Sequence, residues 1–127
     1  MQTDLTLTIN RSVAVLKYRQ PFLDWICSIE PKFGAEMTLE QLNEDNDAFL
    51  LPGEPVIDGH KDAVAWIEKR WKGLFEYKLE GWYIDESLWP KKRTLKMFRE
   101  WFSIEYSSMV WDLENTPLEH EDWSELE

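Results

Sequence analysis

Residues 12–18, Ser-Val-Ala-Val-Leu-Lys-Tyr, carry apolar side chains on both faces of an extended chain. Val13 and Val15 point one way, and Ala14, Leu16 and Tyr18 the other. β-Branched and aromatic types favour the pleated conformation. Apolar groups on both faces place this segment well inside a sheet. It is the strongest constraint in the chain, because everything else must be arranged around a buried strand.

Helices are expected to supply the cover. Gln20-Pro21 opens one, since proline suits a first turn. Phe22, Trp25, Ile26 and Ile29 then form its inner stripe, and Pro31 ends it. Thr38-Leu39-Glu40-Gln41 reads as a capping box that starts a short helix through Asp45. Residues 47–51 read as a second strand, closed by Pro52-Gly53. One long helix is expected over 60–79, with Ala63, Val64, Ile67, Trp71, Leu74 and Phe75 in a stripe about 120° wide, the stem of Lys78 continuing it and Gly81 as its stop. Residues 82–84 read as a short strand or an extended loop. A compact helix over 94–102 and a strand over 104–113 follow. Leu5, Leu7 and Ile9 alternate in a polar start, which reads as an edge strand or loose arm.

The expected fold is therefore α+β: a small, mostly antiparallel sheet of three or four strands with helices packed mainly on one face. Residues 1–113 form a single domain. Residues 114–127 differ, with six acids and no Lys or Arg, so a body of −5 carries a tail of −6. That segment reads as a flexible acidic tail in which Leu118, Trp123 and Leu126 are spaced between acids.

Composition narrows the chemistry. Cys27 is the only cysteine, so neither an intramolecular disulfide nor a cysteine-based zinc cluster is open to the chain. A reducing, cytoplasmic setting fits. The two histidines, His60 and His120, are far apart, and the five glycines never cluster into a phosphate cradle. No apolar run approaches the roughly 20 residues of a membrane span, and no secretory leader is visible at the start. No cofactor or metal is expected. A net charge of −11 opposes nucleic acid and favours a protein partner, with basic ones preferred.

Candidate sites must be weighed against ordinary structural roles. Trp25, Trp71 and Trp101, three of eight tryptophans, lie on inner helical faces and read as core. Trp66 lies off the stripe, with Arg70, Gly73 and Tyr77 following at spacings of 4, 7 and 11. Trp66, Arg70 and Tyr77 are types enriched at interface hot spots; the competing reading is a loop of the same chain lying over them. Lys91-Lys92-Arg93, with Lys96 and Arg99, is the one strongly basic cluster, beside Trp89-Pro90. It suits an acidic ligand or, more plainly, pairing with nearby carboxylates. Asp85 and Glu86 suit acid–base work only in a pocket that raises a pKa, and otherwise cap a turn. Asp58, His60 and Asp62 read as helix-start residues rather than metal ligands.

The stretch Asp85-Glu86-Ser87-Leu88-Trp89-Pro90-Lys91-Lys92-Arg93-Thr94, with Phe98-Arg99-Glu100-Trp101-Phe102, Met109-Val110-Trp111-Asp112-Leu113 and Asn10-Arg11-Ser12-Val13-Ala14, resembles an uncharacterised family of short acidic bacterial proteins. The resemblance spans about residues 10–113. It implies a bacterial, cytoplasmic single domain and carries no assigned activity.

The leading expectation is a non-enzymatic protein–protein interaction or adaptor module with contacts at Trp66, Arg70, Tyr77, Trp89 and Arg93. The alternatives are a small ligand-binding protein or enzyme using the loop 85–93, and an acidic nucleic-acid mimic.

Overall fold

The apolar segment becomes the middle strand of three. In the computed structural model, which describes residues 6–124, β2 (Arg11–Tyr18) lies between β3 (Ala48–Pro52) and β4 (Phe102–Ser107), both antiparallel to it. Ser12, Ala14, Leu16 and Tyr18 are buried beneath the helices. Val13 and Val15 are only half-buried, on a face that no helix covers. The fold is α+β, with helices on one side of the sheet. Leu5 and Leu126 lie outside the described residues.

A two-stranded ribbon, β1 (Leu7–Thr8) with β5 (Trp111–Asp112), prolongs the β2–β4 pair. Four residues separate Thr8 from Val13, but only three separate Ser107 from Trp111. The odd residue makes a bulge, which twists the ribbon away from the sheet. The expected strand over 104–113 is thus two strands.

Six helices follow the sequence cues with two departures: α1 (Gln20–Ile29), α2 (Pro31–Glu36), α3 (Leu39–Leu42), α4 (His60–Glu68), α5 (Trp71–Glu80) and α6 (Leu95–Trp101). Pro31 ends α1 and at once opens α2, being suited to a first helical position. α2 packs closely on α1, because Gly34 leaves no room for a Cβ beside the Cys27 thiol. The capping box of α3 is complete, with Thr38 and Gln41 exchanging both hydrogen bonds. The expected long helix is broken between α4 and α5, for a reason given below. Residues 82–84 form no strand; a short 3₁₀ turn at Glu86–Leu88 follows them.

Aromatic rings fill the space between sheet and helices. Phe75 lies 5.4 Å from both Trp101 and Phe102, and Phe98 lies 5.1 Å from Phe102. Phe22 meets Tyr18 at 4.5 Å and Trp25 at 5.2 Å. The β4 edge of the sheet and the end of its middle strand are managed by side chains. Leu16 donates its N–H to the Asp47 carbonyl at 3.3 Å, so its backbone faces β3 and the opposing Ile104 turns its own carbonyl outward. His60 Nε2 lies 3.2 Å from that carbonyl and covers it.

Beyond Asp47, where β3 has not begun, Asn43 serves as Tyr18's partner. Its side-chain oxygen accepts from the Tyr18 N–H at 2.9 Å, and its amide donates to the Tyr18 carbonyl at 3.0 Å. Asn43→Ala leaves two strand groups unpaired and is expected to cost about 1–3 kcal/mol. Urea unfolding checks it; a loss below about 0.5 kcal/mol means that water replaces the amide without penalty.

Candidate functional site

Arg70 explains the broken helix. In a continuous α-helix its N–H would bond to the Trp66 carbonyl. Here the Arg70 guanidinium takes that carbonyl at 2.9 Å, and the Arg70 N–H turns to Ile67 at 2.9 Å instead. The residue leaves helical geometry (φ −110°, ψ 17°), and α5 starts at the next residue, Trp71. The same guanidinium lies 4.2 Å from the Trp66 ring centroid, a cation–π contact that holds both side chains in one pose.

This pair forms one wall of a groove of about 870 Å³ at the end of the sheet. Ser12, Leu51 and Tyr106 lie along its floor. The loop after β3, with Glu54 and Val56, makes the opposite wall, and Ile9 and Met109 at the base of the ribbon make the lip. Val56 and Met109 are exposed there, whereas the Leu50 side chain, paired across from Val13, leaves on the other face of the sheet. Arg11 also lines the groove, so its charged lining residues are two arginines and Glu54, in a protein of net −11.

Tyr77 does not join Trp66 and Arg70. The break sends the expected strip to opposite ends of β3, and Tyr77 stands at the Asp47 end, donating to Asp47 Oδ1 at 3.0 Å. Lys78, only 4% exposed, donates to Asp47 Oδ2 at 2.7 Å and holds its ammonium 4.4 Å from the Tyr18 ring centroid. Trp82 in turn donates to the Tyr18 hydroxyl at 3.2 Å. These residues line a cavity of about 370 Å³. Burial pulls the Lys78 pKa down, but its Asp47 and Tyr18 partners outweigh that and leave it above an ordinary lysine's. Burial likewise raises Asp47, and the hydrogen bonds from Lys78 and Tyr77 with the Lys78 charge bring it below the ordinary carboxylate value. The pair is locked in its charged form, so Lys78 is no nucleophile at neutral pH.

The loop 85–93 corrects two expectations. Trp89 is 7% exposed and belongs to the core, with its indole N–H donating to the Tyr83 carbonyl at 2.7 Å. It offers no outer surface to a partner. Arg93 is a clasp: its guanidinium donates to the Pro90 carbonyl at 2.8 Å and to Glu76 at 3.1 Å, and lies 5.6 Å from the Trp89 ring. Arg99 pairs with Glu68 through two bonds of 2.8 and 2.9 Å. Two cations of the basic cluster are thus neutralised within the chain, while Lys91, Lys92 and Lys96 stand in solvent. Asp85 and Glu86 are exposed as well. Asp85 caps the 3₁₀ turn through Ser87, and those hydrogen bonds lower its pKa rather than raise it. Asp85 thus has neither the pocket nor the raised pKa that an acid–base role would require.

The sequence reading did not anticipate Arg11, Val56 and Met109 as groove residues, because they come from three separate segments. The Asp47–Lys78 pair left a trace: a lysine continuing an apolar helical stripe needs a carboxylate to meet it. Among the described residues, no three or more His, Cys, Asp or Glu side chains are grouped to hold a metal ion, and no helix is long and apolar enough to cross a membrane. No family model matches the chain, and no curated protein or solved structure matches it significantly.

Proposed function

We propose that this chain is a non-enzymatic interaction module, of a bacterial cytoplasm on the resemblance noted above, and that the groove beside Trp66 and Arg70 holds an extended segment of a protein partner. The observation that carries this reading is the Trp66–Arg70 pair. A tryptophan and an arginine, fixed against each other before any partner arrives, lose little rotamer freedom on binding. Two exposed apolar side chains, Val56 and Met109, line the same groove and supply area for an anchor.

The sign of the bound segment follows from local charge. Screening reduces fields beyond about 8 Å at physiological ionic strength, so Arg11 and Arg70 weigh more in the groove than distant carboxylates do. The preferred segment is acidic with apolar anchors, the reverse of the sign that the net charge suggests. Phosphate mimicry is disfavoured for the body, where Glu105, Asp47, Glu76 and Glu68 each pair with a lysine or arginine.

A labelled synthetic peptide of alternating Glu and Leu with one central Trp, titrated against the full chain by fluorescence anisotropy, tests the reading. Trp66→Ala and Arg11→Glu are each expected to weaken binding more than about tenfold. Among the described residues the Arg11 side chain bonds to the neighbouring Asn10 carbonyl alone, so its replacement should leave the fold intact. A lysine-based peptide of the same pattern should bind at least tenfold more weakly. Equal binding of both peptides, or variants that bind like the parent, would remove the proposal.

A further inference from the structure

We infer that the groove takes the acidic segment 113–123 of a second copy of this chain, exchanged reciprocally in a two-fold dimer. The inference rests on the groove reading given above and names its occupant.

Charge complementarity carries it first. The segment bears Glu114, Glu119, Glu121 and Asp122 with no cation, and the groove bears Arg11 and Arg70 against Glu54. Its apolar content matches as well: Leu113, Leu118 and Trp123 are the anchors, with Trp123 68% exposed. This is the acidic, apolar-anchored pattern that the groove selects. Both halves stand open within one molecule, since the groove's apolar residues and the segment's are exposed together.

The route points to a second copy rather than to the parent chain. The segment departs from the groove's own lip, separated from Met109 by three residues, Val110 and the two of β5. Past Asp112, its hydrogen bonds are local. Asp112 accepts from the Glu114 N–H at 2.8 Å, Glu114 from the Asn115 N–H at 2.7 Å, and Asp122 from the Ser124 N–H at 2.9 Å. Among the described residues none of these bonds ties it back to the body. Reciprocal exchange of segment and groove about a two-fold axis is the self-complementary arrangement of an isologous dimer. It would also brace the ribbon, whose strands of two residues are too short to stand well alone.

Sedimentation equilibrium of the full chain over a concentration series is the test. A dimer is expected, its dissociation constant rising at least tenfold from about 50 to 500 mM salt as the ion pairs are screened. Arg11→Glu, and separately the double variant Leu118→Ala/Trp123→Ala, should each weaken it more than about tenfold. Mixing the two variants should restore a heterodimer, because the intact segment of one meets the intact groove of the other. That rescue cannot come from two misfolded chains. A chain monomeric at every concentration, a dimer indifferent to both variants, or a mixture without rescue would overturn the inference. So would a monomer whose groove amides lose exchange protection in Leu118→Ala/Trp123→Ala, which would place the segment in its own chain's groove. If the monomeric chain still binds the Glu-Leu-Trp peptide, the groove reading stands and only the second copy falls. If it binds nothing, both fall.

Discussion

Replacing Phe75 by alanine is expected to destabilise the fold by about 3–5 kcal/mol, the range for removing a buried aromatic ring. Phe75 is fully buried and sits where the layers meet. Its ring lies 6.1 Å from Phe98, 5.4 Å from Trp101 and 5.4 Å from Phe102, so one side chain of α5 joins α6 to β4. The cavity left behind would be lined by rigid rings that cannot easily close over it. At roughly 3–6 °C per kcal/mol for a domain of this size, the melting temperature should fall by more than about 10 °C. Ile84→Ala is the control, since that side chain is 84% exposed and its removal should change stability by less than about 0.5 kcal/mol. Urea midpoints for both variants decide the matter. Equal midpoints would mean that the aromatic cluster does not hold the helices to the sheet.

Asp47→Asn should have the next largest effect, about 2–4 kcal/mol. Breaking a buried ion pair typically costs 3–5 kcal/mol, and the value is smaller here because Asp47 is partly exposed. The substitution keeps the shape and leaves the buried Lys78 ammonium without its counter-charge. Adding Lys78→Met should recover a large part of the loss, the signature of an uncompensated charge rather than a lost contact. The pH dependence follows from the two shifts. The Asp47 pKa is lowered on folding, so its stabilisation is present above the unfolded carboxylate value near 3.8 and is lost as pH falls through its folded value. The Lys78 pKa is raised, so its stabilisation is present below the unfolded value near 10.5 and is lost as pH rises through its folded value. The parent should thus lose stability towards both extremes, and Asp47→Asn should be flatter below pH 4. Parallel stability–pH curves for the two proteins would contradict this account.

Much of the local architecture was legible because it depends on neighbours in sequence. The central strand was marked by Val13, Ala14, Val15 and Leu16, whose shapes favour a pleated backbone with both faces occupied. Thr38 and Gln41 announced the start of α3, since a capping box is complete within four residues. Pro21 marked a helix start and Pro31 the end of that helix through their fixed φ, while the helix that Pro31 itself opens was not foreseen. The inner positions of Phe22, Ile67 and Phe75 followed from helical periodicity, and all three are buried.

The candidate site was legible only in part. Trp66 and Arg70 stood out as off-stripe residues and do line the groove. Tyr77, Trp89 and Arg93 went elsewhere, held by partners that helical periodicity does not reveal. Tyr77 answers to Asp47 thirty residues earlier. Trp89 is buried because its indole N–H finds the Tyr83 carbonyl in the turn that covers α1. Arg93 is drawn to Glu76 across the fold. Even the break after α4 escaped the periodic pattern, because it depends on a guanidinium competing with its own backbone N–H for one carbonyl.

By itself, then, the chain's order of residues determined most of the elements, their inner faces and the α+β class, since propensity, capping and periodicity act within a few residues. Only the tertiary structure decided which charges are spent on one another and which remain at the surface. Ion pairs, aromatic stacking and grooves are made by groups that folding brings together from distant segments. Lys78 and Asp47 vanished into such a pair, while Arg11 and Arg70, from a strand and a helix end, were left lining one open groove.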